Sequence, residues 1–368
     1  MFKKMKIDNF RGITHLELSD CKRINLIVGE NNCGKTSVLE ALFLLLNPGN
    51  PQLLNSINAF RGFSVITSEV LKTAFLESNI NKNIKLDAEL TDPSEKRTLK
   101  LSPVHIQNFI RSIQQEGRNG ETRESLDLDS SLLKTTDTTR EFNGINFEGE
   151  AKRKNEAAQA IRSALVLIDT TNPNAPLMQP YPDKNYAEKR RGGFVLSPAN
   201  NFVHRFHKIK IAKQTEKIVN VLKIIEPSLK TLETGPDQLI YADTGSEHLL
   251  PINVMGGGFV KILSILTHLY DMNDGGIVFI DEIENGLHHS AQEHLWRAII
   301  EAANQFNVQI FATTHSLETV DFFGKAIKKH KEDEFRLFRI EKKENVFDVI
   351  KYNSDNIKAI PDSDWEVR

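Results

Sequence analysis

Apolar and polar positions change period along this chain, and each change predicts an element. Phe2, Met5, Ile7 and Phe10 alternate loosely across residues 2–10, and Thr14 to Leu18 follows closely enough to return as a hairpin partner. Ile24 to Val28 is a short apolar run that predicts a buried strand, Gly29 to Gly34 a loop, and Lys35 to Leu46 an apolar helix stopped by Asn47-Pro48-Gly49. Ile84 to Leu90 and Thr98 to Leu101 predict antiparallel strands. From about 104 to 200 the pattern weakens into polar tracts (Gly117 to Thr122, Ser130 to Thr139) and a proline-rich stretch (Asn172 to Pro182), which predicts an insertion, part helical and part loop. Order returns with a helix over Ile218 to Leu232, kinked or broken at Glu226-Pro227-Ser228. Strands are expected at Gln238 to Ala242 and Glu247 to Ile252, then a helix at Phe259 to Tyr270. A buried strand at Ile277 to Ile280, a helix at Leu287 to Ala302, a strand at Val308 to Ala312 and a helix from Ser316 follow. Phe335 to Ile340 and Val346 to Tyr352 close the chain as a hairpin. Strands alternating with helices predict an α/β fold around a parallel sheet. The boundaries read as a first lobe at 1–103, an insertion at 104–214 and a second lobe at 215–368.

Composition narrows the field. The 368 residues are 39% hydrophobic and 26% charged, enough to bury a sizeable core. A net charge of −2 excludes a uniformly basic nucleic-acid coat but leaves room for a local patch. The longest apolar run, Ala41 to Leu46, is far shorter than the roughly 18 residues of a membrane span. Two cysteines make no disulfide framework, so a reducing, cytoplasmic setting is expected.

The first chemical signal is Gly29-Glu30-Asn31-Asn32-Cys33-Gly34-Lys35-Thr36, which fits G-x-x-x-x-G-K-[ST] with a strand before it and a helix opening at the lysine. Glycines let backbone N–H groups converge on phosphates, and the helix N-terminus, Lys35 to Ser37, adds positive potential. Lys35 is expected at the β- and γ-phosphates and the Thr36 hydroxyl on Mg²⁺. Cys33 is either a thiol whose pKa the helix end and Lys35 lower, or a small filler.

Four apolar residues, Ile277 to Ile280, deliver Asp281 and Glu282. Beside a phosphate loop, Asp281 would coordinate Mg²⁺ and Glu282 would face a water attacking the γ-phosphate. Gln309 to Ser316 is a strand ending at His315, a candidate sensor of that phosphate. Gly256-Gly257-Gly258 opens a helix and forms a second potential anion site. One subunit needs only one phosphate loop, so the second site suggests a nucleotide shared across a dimer.

These pieces, in this order, resemble an ATP-binding-cassette head of the P-loop NTPase class. Residues 29–36 look like Walker A, 277–282 like Walker B with its catalytic glutamate, Glu284 to His288 like the D-loop, and His315 like the switch histidine. Gly256 to Gly258 take the place of the signature; Met255 and Gly256 stand where a serine is usual, which leaves backbone N–H groups as donors. Lys6 to Gly12 together with Asn25 to Ala41 is similar to RecF, SMC and OLD-family (overcoming lysogenization defect) ATPases, and Asp281 to His288 with Phe311 to Ser316 looks most like stand-alone bacterial relatives of OLD. The resemblance covers about 1–103 and 215–352. It implies that Arg11 approaches the nucleotide phosphates, against the plainer reading of a surface arginine after a strand. It leaves Asn58 to Gly62 where a Q-loop would lie, without a convincing glutamine. The two ATP motifs stand about 250 residues apart, about twice the spacing that the resemblance gives for transporter cassettes, so a transporter is disfavoured. Glu233 to Asp237 reads as a turn and not as part of a nuclease domain.

The expected activity is Mg²⁺-dependent ATP hydrolysis in a homodimer or higher homo-oligomer. Its output would go to a separate nuclease or toxin effector in anti-phage defence, as in the ATPase parts of OLD, Gabija, Septu or PARIS systems. The competing reading is a RecF-like DNA clamp. DNA is a possible partner through Lys189-Arg190-Arg191 and the basic stretch His204 to Lys213, whose bland alternative is a solvated helix face. Lys328 to Lys331 reads as a solvated helix end, and His288-His289 as part of the D-loop, not a metal pair.

Overall fold

Residues 1–104, 142–169, 177–195, 202–235 and 239–362 are described by the computed structural model. In chain order the strands are β1 (Phe2–Phe10), β2 (Ile13–Ser19), β3 (Ile24–Val28), β4 (Ile84–Leu90), β5 (Glu95–Pro103), β6 (Gly144–Arg153), β7 (Gln159–Asp169), β8 (Leu177–Tyr181) and β9 (Gly192–Val195). They continue as β10 (Thr231–Thr234), β11 (Ile240–Asp243), β12 (Leu250–Pro251), β13 (Ile277–Ile280), β14 (Gln309–Thr313), β15 (Phe335–Lys343) and β16 (Val346–Tyr352).

Six of them form the central sheet in the order β16-β15-β3-β14-β13-β9. All its pairs are parallel except β15 with β16. Strict alternation divides its side chains between two cores. Val278, Ile280, Ile310, Ala312, Phe335 and Leu337 face one way, onto the helices Gly257–Asp271, His289–Phe306 and Leu317–Ile327. Ile277, Phe279, Phe311, Phe338 and Ile340 face the other, onto α1 (Lys35–Leu46) and a second sheet. α1 has no polar stripe: every residue from Val38 to Leu46 is buried, Glu40 included. A helix apolar all round must be covered all round, and two sheets cover it.

The second sheet is antiparallel throughout, β2-β1-β4-β5-β6-β7-β8. Gln309, fully buried at the start of β14, ties it to the central one. Its amide nitrogen donates to the Phe2 and Lys22 carbonyls at 2.8 Å each, and its oxygen accepts from Phe2 N at 2.6 Å. A three-stranded sheet, β10-β11-β12, precedes the helix at 257.

Most predicted elements appear in place, and the α/β class holds. The stretch from 144 to 181 differs: three strands extend the first lobe's sheet where helix and loop were expected. The polar tracts ahead of it and the proline-rich stretch at 172–182 masked the strand pattern. A Cβ on Gly144 would lie 2.0 Å from the Leu165 carbonyl, and one on Gly149 2.3 Å from that of Thr98. These glycines permit close strand approach and do not mark turns. The helix expected over 218–232 ends at Leu222, and Thr231–Thr234 is β10, because Pro227 cannot continue a helix. Only Leu250–Pro251 of the strand expected at 247–252 pairs. The expected polar tracts at 117–122 and 130–139, with parts of the 172–182 stretch and of the 233–237 turn, lie outside the described residues. No helix among the described residues is long and apolar enough to cross a membrane.

The C-terminal end of α1 rests on a charge. Arg97, with a side chain 0% exposed, donates to the Leu45 and Leu46 carbonyls at 2.8 and 2.6 Å. Glu95 at 2.6 Å and Glu188 at 2.8 Å neutralise it, and Arg153 and Arg190 also bind Glu95. Burial pushes the Glu95 carboxyl up, but Arg97 and Arg190 outweigh it and hold it down at about 2, against an ordinary 4.5. A depressed carboxyl stabilises the fold above its unfolded pKa and loses that contribution as the pH falls from about 4.5 towards 2. Glu95→Gln should therefore cost about 3 kcal/mol at pH 7, read by urea denaturation. The cost should shrink at pH 2, where the wild type has lost the same contribution; an equal cost at both pH values would refute the assignment.

Candidate functional site

β3 ends in a loop whose backbone only glycine tolerates at two points. Gly29 has φ +147° and Gly34 φ +91°. A Cβ on Gly29 would lie 2.4 Å from the Ile340 carbonyl and 2.7 Å from Cys33 Sγ, and one on Gly34 3.1 Å from the Ile13 side chain. The loop is thus clamped between β15 and the turn into β2. Glu30, Asn31 and Asn32 are exposed on its outer side. No side chain caps α1, so the first-turn N–H groups of Lys35, Thr36 and Ser37 face the loop's concavity with the helix dipole behind them. Lys35 Nζ arches back over the loop and donates to the Gly29 and Glu30 carbonyls, both at 2.8 Å.

Thr36 meets the second motif directly. Its hydroxyl donates to Asp281 at 2.9 Å to one carboxylate oxygen and 3.2 Å to the other. A hydroxyl and a carboxylate side by side next to an N–H-lined loop form a hard-oxygen donor set that fits Mg²⁺ and a polyphosphate together. Thr313, fully buried at the end of β14, was not foreseen. Its hydroxyl donates to Asp281 Oδ1 at 2.5 Å and accepts from the Glu282 N–H at 2.8 Å. The signal was available: a strand ending in two threonines next to the acidic strand in a parallel sheet.

Glu282 is exposed, with φ +46°, a left-handed conformation that a side chain adopts only when its surroundings impose it. Thr313 supplies part of that constraint, and the Asn285 side-chain amide donates to the Glu282 carboxylate. His315 lies beside Glu284, whose Oε1 accepts from the His315 backbone N–H at 3.0 Å and stands 3.1 Å from its Nδ1. A proton on Nδ1 leaves Nε2 as the ring atom for another partner.

Gly256 to Gly258 lie apart from this cluster, at the start of the helix Gly257–Asp271. Nothing stands within 4 Å of a Cβ on Gly256 or Gly257, whereas one on Gly258 would touch Leu287 and Ala291. One turn on, Lys261 donates to the Ile283 carbonyl at 2.8 Å and to the Asn285 carbonyl. Burial pushes the Lys261 pKa down to about 8, partly offset by Glu284 and Glu282. Sequence reasoning missed it, although it is the one charge between Gly257 and Thr267.

Several expectations change. Arg11 is not a surface arginine. It is buried, with φ +56°, and donates to Glu40, Thr73 and Asn58 at 3.2, 2.7 and 2.7 Å. Arg61 also binds Glu40, at 2.6 and 3.1 Å, and reaches the Ser37 hydroxyl at 3.3 Å, so both arginines meet the loop's helix and Arg61 does so in its first turn. Cys33 is 2% exposed, and burial pushes its thiol up despite Lys35, so it is a filler and not an activated thiol. The basic stretches are partly consumed internally: Arg190 binds Glu95, Lys210 binds Glu233 at 2.5 Å, and Lys208 lies 3.7 Å from Asp271. Lys328 pairs with Asp362 at 2.8 Å. The His288 and His289 rings lie 4.4 Å apart, and no group of three metal-ligating side chains occurs among the described residues.

Both thiols are buried, and burial pushes Cys21 up to about 12. A disulfide reagent should therefore titrate two thiols in denatured protein and neither, over the same minutes, in native protein, with or without ATP. Rapid native modification that ATP suppresses would restore the activated-thiol reading of Cys33.

A family model described as "AAA domain, putative AbiEii toxin, Type IV TA system" matches residues 24–321. The chain is 22% identical to an "ATP/GTP phosphatase" of Helicobacter pylori over 89% of each protein. It is 23% identical to the "Septu protein PtuA" of Bacillus thuringiensis over 86% of this chain and 72% of that one. It is 48% identical to the "DNA replication and repair protein RecF" of Shewanella frigidimarina over 42 residues, 11% of this chain and 12% of that one. Among solved structures, an SMC head bound to the C-winged helix domain of ScpA superposes with a TM-score of 0.50 at 11% identity, covering 96% of this chain and 98% of that one. At that identity the likeness speaks to the fold alone, which is that of an ABC-type head.

Proposed function

The chain belongs to the AAA-domain family whose model spans residues 24–321, and from that premise we propose that this P-loop ATPase is an ATP-driven switch working as a head dimer. The observation that carries the reading is the meeting of Thr36 with Asp281 at 2.9 Å across 245 residues of sequence, beside the glycine-clamped loop. Lys35 and the loop N–H groups bind the β- and γ-phosphates. Thr36 and Asp281 would hold Mg²⁺, which when bound neutralises charge on the phosphate oxygens. Thr313 keeps Asp281 in place and aims Glu282, which accepts the proton of the attacking water. His315, oriented by Glu284, offers Nε2 to the γ-phosphate. Gly256 and Gly257 have open space around them, as donors to a nucleotide held by the opposite subunit require, and Gly258 rests against Leu287 and Ala291. Bound ATP then joins two heads and hydrolysis releases them.

We place the switch in the RecF/SMC/OLD class, in the cytoplasm, and give it a separate nuclease or toxin effector in anti-phage defence. Support for the defence setting is the Septu-named relative, which aligns over most of both chains, against 42 residues shared with the RecF protein. The lobes at 1–103 and 215–368 would bind nucleotide, and the stretch 104–214 would carry the partner contact.

Glu282→Gln should lower ATP hydrolysis by about 10²–10³-fold while ATP binding persists. Thr313→Val should lose about 10-fold or more in kcat, since it frees Asp281 and Glu282 together. Light scattering on Glu282→Gln should give a monomer alone and a dimer with ATP–Mg²⁺. A mass indifferent to nucleotide would overturn the switch, and salt-sensitive duplex DNA binding that ATP strengthens would replace the effector reading with the clamp.

A further inference from the structure

The turn from Glu282 to Gly286 is held from two sides. From β14, Thr313 takes the Glu282 N–H through its hydroxyl, and its carbonyl accepts from the Ile283 N–H at 3.0 Å. From the opposite side, Lys261 takes the Ile283 and Asn285 carbonyls. Internal bonds complete the turn, Asn285 N–H to the Glu282 carbonyl at 2.9 Å and Leu287 N–H to that of Glu284 at 3.0 Å. Glu282 keeps φ +46° inside this frame, and a strained residue persists only where its neighbours over-determine it.

Lys261 differs from the β14 contacts in what it is attached to. It stands on the first turns of the helix that begins with Gly257, four residues from that glycine and so on the same face. The glycine end of the helix has open space, while at Lys261 it is fastened to the turn that carries Glu282. Gly258 lies close to Leu287 and Ala291, so the helix start also packs on the far end of that turn. Glu284, which orients His315, faces Lys261 as well, and its Oε2 is buried without a hydrogen-bond partner among the described residues. A shift of the helix start therefore reaches Glu282 and His315 through one ammonium group and two carbonyls.

We propose that Lys261 is a positioning residue that couples the two composite sites of the dimer, transmitting engagement of Gly256 to Gly258 by the opposite subunit's nucleotide to this subunit's own Glu282. The inference rests on the head-dimer reading above. It adds a direction to it: each subunit hydrolyses its ATP only when its glycine-led helix is occupied from across the interface. Lysine suits the task because its flexible stem and three donors can hold two carbonyls of one turn at once.

The experiment compares wild type, Lys261→Met and Lys261→Arg for steady-state ATP hydrolysis, thermal midpoint and amide hydrogen exchange of the 282–287 segment. Lys261→Met should lower kcat about 10-fold, as the loss of one to two charge-assisted hydrogen bonds implies, leave KM for ATP unchanged and flatten the cooperativity of hydrolysis with ATP concentration. Lys261→Arg, which restores two donors, should recover most of kcat. Exchange in 282–287 should quicken in Lys261→Met and return to normal in Lys261→Arg. A Lys261→Met protein with wild-type kcat and exchange would overturn the proposal, and so would equal losses in both variants at an unchanged thermal midpoint. Absence of hydrolysis in wild type would overturn the ATPase switch instead, and the exchange measurement would still decide the role of Lys261.

Discussion

A fully buried guanidinium under the end of α1 is the constraint from which the rest of the arrangement follows. α1 carries the phosphate loop at its N-terminus, and its last carbonyls would be orphaned inside the protein without a donor. Arg97 provides it from β5, and an always-charged group in that position requires Glu95 and Glu188 around it. Glu95 in turn draws in Arg153 from β6 and Arg190 from the segment before β9. One cluster thus fixes the helix against the antiparallel sheet and brings in the strand that ends the parallel one. A phosphate loop needs a helix that does not slide along its axis, and a charge cluster with fixed geometry resists sliding better than apolar packing alone.

At the other end, precision comes from hydroxyls. Thr36 and Thr313 approach one carboxylate from two different elements, α1 and β14. Parallel pairing of β13 with β14 sets this up, because Ile280 faces Ala312 in register and the next residues, Asp281 and Thr313, emerge together at the carboxyl ends of the strands. Ligand sites of open α/β sheets form at those ends. The site is thus a product of strand register.

The local parts of this site were legible in the sequence and the long-range ones were not. Gly29 to Thr36 and Ile277 to Glu282 declare themselves because strand, turn and chemistry are contiguous, and the structure puts Thr36 on Asp281. The partners of Arg11 were not legible because nothing local shows that Glu40, in the middle of an apolar helix, needs a cation and that Arg11 and Arg61 converge on it. Thr313 and Lys261 were missed because their partners are distant in sequence: Thr313 acts on Asp281 and the Glu282 N–H, Lys261 on the Ile283 and Asn285 carbonyls. The strands between 144 and 181 were hidden by the polar tracts ahead of them and by the proline-rich stretch at 172–182, although Pro180 pairs with Leu165 inside the sheet. In each case the failure lies where pairing between distant segments outweighs local preference.

The two attachments of the Glu282 turn are unequal, and that inequality carries the functional argument furthest. Thr313 belongs to a strand buried at the centre of the sheet, hydrogen-bonded on both sides, and cannot move without breaking β3 and β13 away from it. Lys261 belongs to a helix whose first residues are exposed and flanked by the exposed Val254. A turn held by one rigid and one movable anchor has a fixed position for Asp281 and the Glu282 backbone, and an adjustable one for Asn285, whose side chain holds the Glu282 carboxylate. Binding of metal and phosphate would then be insensitive to the state of the interface, while the step that needs the carboxylate would depend on it. A switch that holds ATP until its partner arrives requires that separation.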